Sequence, residues 1–225
     1  KHVNSAYYGL PSRVNGIPQA VKLIGLRSLH HLLYSFGFHL ILDEHHPQMK
    51  SLWEHSLRAA FYALVLARDH KRQADIVDDA YVAGILHDLG FIVVSSLKPA
   101  TQEKMRRFCM EKGIPAAVLE KFSFGMNHAD VGALIAEKWH FPDQLVEGIR
   151  YHHDPLQASP ASRNVVFCVY LANSICNLER GLVSYGRLEG AVLADFGLSS
   201  ESELLQMASS LRKDFDEHRT ELRKP

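Results

Sequence analysis

Apolar residues recur three and four positions apart through almost the whole of this 225-residue chain. That period leaves room for little but α-helices packed on one another. After Pro18, which suits the first turn of a helix, Val21, Ile24, Leu29, Leu32, Leu33 and Phe36 form one such series. Leu52, His55, Ala59, Tyr62, Ala63 and Leu66 form the next, and Val77, Ala80, Tyr81, Gly84 and Ile85 a third that runs into His87-Asp88-Leu89-Gly90. Further helices are expected near 101–112, 115–122, 128–138, 143–151, 163–179 and 201–219. Gly9-Leu10-Pro11, Asn15-Gly16, Gly113 and Pro155 to Pro160 punctuate the joins. Phe91 to Val94 is too short to tell strand from helix, and too short to found a sheet. With no strand–turn–strand pattern and no fixed-period repeat, the expected class is all-α. Residues 1–44 are read as the end of a smaller N-terminal helical subdomain, 45–198 as the helical core and 199–225 as a C-terminal helix. The polar stretch from Gly37 to Lys50 is expected to link the first two, and the mixed charges from Arg212 to Lys224 to form a solvated face.

Charge excludes some functions. With 25 Lys+Arg against 25 Asp+Glu the formal net charge is zero, so no basic excess is present to coat DNA or an anionic membrane surface. Cys109, Cys168 and Cys176 are odd in number and lack CxxC spacing, which reads as free thiols in a reducing compartment. Apolar runs stop short of the ~18 residues that a membrane helix needs. A cytoplasmic protein is expected. Its first residue, Lys1, opens a stretch resembling the end of a helix, so further residues are expected upstream.

Histidine is the unusual component, with 14 copies, as many as glycine. His2, His30, His31, His70, His140 and His218 read as ordinary surface or core residues. The pair His45-His46 sits in an acidic, proline-stopped stretch with no apolar face behind it. The others behave differently. His55 falls on the apolar stripe of its helix and must point inward, where an imidazole needs a partner. His87 and Asp88 close a helix, His128 begins one, and His152 and His153 end another. Positions at the ends and inner faces of successive helices can converge inside a bundle. Several buried imidazoles around one carboxylate call for a compensating cation, and one or two divalent ions (iron, manganese, zinc or nickel) suit that donor set.

This ordered set resembles the HD superfamily of metal-dependent phosphohydrolases, above all its HD-GYP branch and the related HDOD (HD-related output domain) family. The HDOD likeness is closer and covers nearly the whole chain. It rests on Val3-Asn4-Ser5-Ala6-Tyr7-Tyr8-Gly9-Leu10-Pro11, on Ile17-Pro18-Gln19-Ala20-Val21 with Leu23-Ile24-Gly25-Leu26-Arg27, and on Leu52-Trp53-Glu54-His55-Ser56. It continues through Ala83 to Gly90, Asn127-His128-Ala129-Asp130-Val131-Gly132, Trp139 to Pro142 and Tyr151-His152-His153-Asp154-Pro155. The resemblance implies an HD-type bundle in which His55, His87, Asp88, His128, His152 and His153 are the metal ligands. In active members two such metals activate water for attack on a phosphodiester, and Asp88 would then be the catalytic carboxylate.

The chain departs from that pattern in three places. The closing aspartate of the metal set is Asn173, in Tyr170-Leu171-Ala172-Asn173-Ser174, a weaker ligand or one that acts from behind the ligands. The lysine that often follows the motif is Phe91, and after His153 the chain reads Asp154-Pro155-Leu156 with no Gly-Tyr-Pro loop. The resemblance therefore implies a bacterial regulatory domain that keeps a metal pocket and works through contacts with signalling proteins, without a DNA surface or a membrane. A homo-oligomer stays open. The alternative is a metal-dependent phosphohydrolase acting on a nucleotide or cyclic dinucleotide.

Overall fold

In the computed structural model, residues 47–71, 74–97 and 99–223 are described, and every regular element among them is helical. The stripe from Leu52 to Leu66 becomes α1 (Pro47–Val65), which runs on through a π-helical turn, Leu66–Lys71. Then follow α2 (Ala74–Leu86), α3 (Leu89–Leu97), α4 (Pro99–Lys112), α5 (Ala116–Phe124), α6 (His128–Lys138), α7 (Asp143–Arg150), α8 (Arg163–Glu179), α9 (Gly190–Asp195) and α10 (Glu201–Arg223). Phe91 to Val94 is thus helical, inside α3. The expected polar link is shorter than read, because Pro47 to Lys50 already form the first turn of α1. The short α9 falls where no helix was expected. The motifs before Pro47, and the pair His45-His46, lie outside the described residues.

The core lies where α1, α2, α7 and α8 pack together. Tyr62, Ile85, Leu86, Leu145, Ile149, Leu171 and Ile175 are fully buried there, each aliphatic side chain contributing roughly 1.5–3 kcal/mol by leaving water. Helix α8 is buried at every position from Val165 to Cys176, so it runs through the middle of the bundle rather than along its surface. Two glycines let helices approach where a side chain would not fit. A Cβ at Gly84 would stand 2.7 Å from Ala60 Cα, and one at Gly90 would stand 2.0 Å from the carbonyl oxygen of His128. The first contact seats α2 on α1. The second brings the start of α3 against the start of α6, next to Asp88.

Helix α10 covers α1. Its Leu204, Ala208, Leu211 and Phe215 join the core, while Lys213 and Glu217 on the other face are exposed, as the mixed charge pattern leads one to expect. Arg58 lies 5.1 Å over the Phe215 ring, and Arg58 and Tyr62 both donate to the Glu179 carboxylate at the end of α8, at 3.2 and 3.1 Å. No helix among the described residues is long and apolar enough to cross a membrane.

Candidate metal centre

Each sequence-selected histidine reaches the centre from a helix end or an inner face. His55 lies on α1, His87 and Asp88 form the turn between α2 and α3, His128 is the first residue of α6, and His152 and His153 lie in the turn after α7. The start of α6 is fixed by a capping box: Asn127 Oδ1 accepts from the Asp130 backbone N–H at 2.9 Å, and the Asn127 N–H donates to Asp130 at 3.2 Å. The Asp88 carbonyl accepts from the Phe91 N–H at 2.9 Å, which turns the chain into α3.

Asp88 stands between the imidazoles with its two oxygens facing different groups. Oδ2 is 3.2 Å from His87 Nε2 and 3.6 Å from His55 Nε2. Oδ1 is 3.3 Å from His128 Nε2 and 3.7 Å from His152 Nε2. The Nε2 atoms of His55 and His87 are 3.2 Å apart, and those of His128 and His153 are 2.9 Å apart. Two groups able to hold a metal ion result, His55/His87/Asp88 and His128/His152/His153, each with donor atoms within 4.8 Å of one another. His87 and His152 are fully buried, and His153 lies at the exposed edge.

The outer nitrogens are committed. His87 Nδ1 donates to the Gly84 carbonyl and His152 Nδ1 to the Ile149 carbonyl, both at 2.7 Å. His128 Nδ1 donates to Glu120 Oε2 at 2.6 Å, and the same oxygen accepts the His128 backbone N–H at 2.9 Å. With the proton on Nδ1, the neutral ring directs a lone pair inward from Nε2. His152 Nε2 is buried with no hydrogen-bond partner, which is costly for a polar atom unless something else engages it. A cation would engage it. Donor atoms 2.9–3.7 Å apart also match what one ion about 2.1 Å from each would require. The residues therefore fit a divalent ion in geometry and in chemistry, although mixed imidazole and carboxylate donors do not select one metal.

Electrostatics separate the members. Burial alone would raise the pKa of Asp88, but the charges of His87, His128 and His55, with the His87 hydrogen bond, hold it well below the usual carboxylate range. Burial, helped by His87 and opposed by Asp88, pushes His55 down to about 4. Burial and then His153 hold His152 well below the ordinary histidine value. His128 goes the other way. Burial opposes its charge, but the Glu120 hydrogen bond and the carboxylates of Asp88, Glu120 and Asp130 outweigh it.

Asn173 is 4% exposed. It lies beside His55, whose charged form it favours, and accepts from Asn177 Nδ2 at 2.9 Å, which puts its amide next to a candidate ligand. Phe91 turns its ring edge-on to His128, the centroids 6.3 Å apart. His70 and His218 pack instead on Phe196 and Phe61, with centroids 6.0 and 5.2 Å apart. The residue that sequence reasoning missed is Glu120, 2% exposed beneath His128. No local pattern marks it: its burial beside Ala117, with the apolar Val118 and Phe122 turned outward, arises only in the folded chain.

Comparison with known proteins agrees with this architecture. The HDOD domain family matches residues 1–155. A protein of Treponema pallidum (strain Nichols), described as uncharacterized, is 33% identical over 220 residues, covering 98% of this chain and 43% of its own length. This chain thus spans less than half of that relative. Among solved structures, an HDOD domain protein of unknown function from Geobacter sulfurreducens superposes with a TM-score of 0.68 at 24% identity, over 97% of this chain and 78% of its own. A structure from Marinobacter aquaeolei VT8, provisionally named a signal transduction protein, gives 0.70 at 23% identity, over 97% and 49%. At these identities the two structures establish the shared helical fold.

Proposed function

Because this chain belongs to the HDOD family, we propose that it is a bacterial signalling domain that holds one or two divalent transition-metal ions at Asp88 and works through contacts with other signalling proteins. The carrying observation is two groups of imidazole and carboxylate donors gathered around Asp88, with the Phe91 ring set against His128. Such ions, when bound, supply positive charge and Lewis acidity. Everything else falls to the chain's own groups. Asp88 divides its oxygens between the two histidine groups. The carbonyls of Gly84 and Ile149 and the carboxylate of Glu120 keep protons on the outer nitrogens of His87, His152 and His128. Phe91 offers an apolar edge where a side-chain cation would meet a phosphate, and Asn173 offers an amide where a carboxylate would add charge. That combination retains cations while giving little help to an anionic substrate. The name of the Marinobacter structure points the same way.

A second reading, a metal-dependent phosphohydrolase acting on a nucleotide or cyclic dinucleotide, is favoured by the unpartnered Nε2 of His152, which packing alone has no reason to keep. Elemental analysis and turnover of cyclic dinucleotides and simple phosphodiesters, in the parent and in Asp88→Ala, test the choice. The expected result is bound transition metal in the parent, its loss in Asp88→Ala, and no turnover that depends on Asp88. Turnover at ordinary enzyme rates that Asp88→Ala abolishes would establish the hydrolase instead, and a parent free of metal would remove both.

A further inference from the structure

We infer that the two sides of Asp88 hold cations with unequal strength, the His128/His152/His153 side tightly and the His55/His87 side loosely, so that the protein passes between one-ion and two-ion forms as cation supply changes. This rests on the metal-centre reading proposed above and specifies how that centre is regulated. The asymmetry lies in the donors and in what stands behind them. On the first side three imidazoles cluster, His128 and His152 at 3.3 and 3.7 Å from Asp88 Oδ1 and His153 at 2.9 Å from His128, and the buried carboxylate of Glu120 takes two hydrogen bonds from His128, at 2.6 Å from Nδ1 and 2.9 Å from the backbone N–H. A carboxylate behind a ligating imidazole fixes the ring and raises its basicity. On the second side only two imidazoles join Asp88 Oδ2. Behind His87 stands a neutral carbonyl, that of Gly84, and the group beside His55 is a neutral amide, that of Asn173.

Counting formal charge among the described residues, the first side has Glu120 in addition to the shared Asp88, and the second has Asp88 alone. Sharing widens the gap. Once an ion sits against Oδ1, part of the charge of the shared carboxylate is already neutralised, and the first ion repels the second through a poorly screened interior. The second side is therefore the one whose occupancy follows cation concentration.

Calorimetric titration of the metal-stripped, full 225-residue chain with Zn²⁺ alone tests this. The parent should show two steps separated by at least tenfold in Kd. Glu120→Gln, close to isosteric, should weaken the first step about 10- to 100-fold and leave the second within about threefold. Asn173→Asp should tighten the second step about tenfold and leave the first. The His128 Nδ1–H proton resonance, shifted in Glu120→Gln before any metal is added, reports the positioning role separately from folding. Two equal steps in the parent, or a Glu120→Gln effect on the second step only, would overturn the inference while leaving the metal centre in place. No binding by the parent would overturn the metal centre itself. If Glu120→Gln does not fold, the step ratio of the parent and the Asn173→Asp titration still decide.

Discussion

The helix that brings Asn173 to the centre and the helix that brings Glu120 to it are built on opposite plans. In α8 every residue from Val165 to Cys176 is buried, so Asn173 is held by the packing of the whole bundle. Helix α5 buries Ala117 and Glu120, while Val118 and Phe122 are 59% and 89% exposed. It grips the start of α6 through the two hydrogen bonds from His128 to Glu120 and through an ion pair, Lys121 to Asp130 at 4.0 Å. One side of the site is thus positioned by dense core packing, where displacement of any side chain is resisted by all its neighbours. The other is positioned by a charged contact on a lightly buried helix. The first should be the more sensitive to lost volume, and the second to removal of the charge that holds it.

The largest expected effect breaks the dense side. Leu171 is fully buried in α8, so Leu171→Ala should cost about 2–5 kcal/mol through lost transfer energy and the cavity left behind, read by urea denaturation of the metal-free protein. A loss under about 1 kcal/mol would mean that α8 is not the centre of the core and that the contrast with α5 is false.

Next in size is the pH dependence, in which the groups around Asp88 should have opposite slopes. His55 is held to about 4 and His152 well below its ordinary value, chiefly by burial, whereas in the unfolded chain each titrates near 6.5. Between about 4 and 6.5 the unfolded chain binds more protons, so stability rises with pH in that window and is lost as pH falls through it. His128 is raised above its ordinary value against the pull of burial, by Glu120, Asp88 and Asp130. Its contribution is complete below about 6.5 and is lost as pH rises through its folded pKa. Denaturation of the metal-free protein across pH should give a rise, then a fall. Glu120→Gln should flatten the falling limb and leave the rising one. A falling limb that survives Glu120→Gln would assign it to another group.

The same contrast explains what could be read before folding. The stripe of α1 is visible because the helix is half exposed, and His55 on that stripe had to point inward. The inner positions of His87, His128 and His152, and that of His153 at the edge, lie at helix ends, which glycine, proline and capping residues mark locally. Asn173 was legible only through resemblance, since α8 is apolar around its whole circumference and shows no face. Phe91 to Val94 was undecidable by length. It is helical because α3 continues to Leu97 and lies on α6 at the Gly90 contact. Glu120 was hidden for a different reason. Leu119-Glu120-Lys121 looks like an ordinary solvent-facing charge pair, and its burial arises only when the chain reverses at Gly125, with a φ of 78°, and returns His128 over it. A local pattern does not carry that tertiary fact.

The smallest expected effect sharpens the claim that α5 is held by Glu120 and not by its apolar residues. Phe122 is the most exposed of the large hydrophobics described, and it lies two residues from Glu120, on the outer face of the same helix. Phenylalanine and serine have nearly equal helix propensities, so Phe122→Ser changes neither the helix nor any buried surface. The stability change should stay within about 0.5 kcal/mol, and the first Zn²⁺ step should keep the affinity of the parent. A loss above about 1 kcal/mol would mean that the Phe122 ring is covered in solution. The anchoring of α5 would then be apolar after all, and Glu120 would become one of several contacts holding His128 in place.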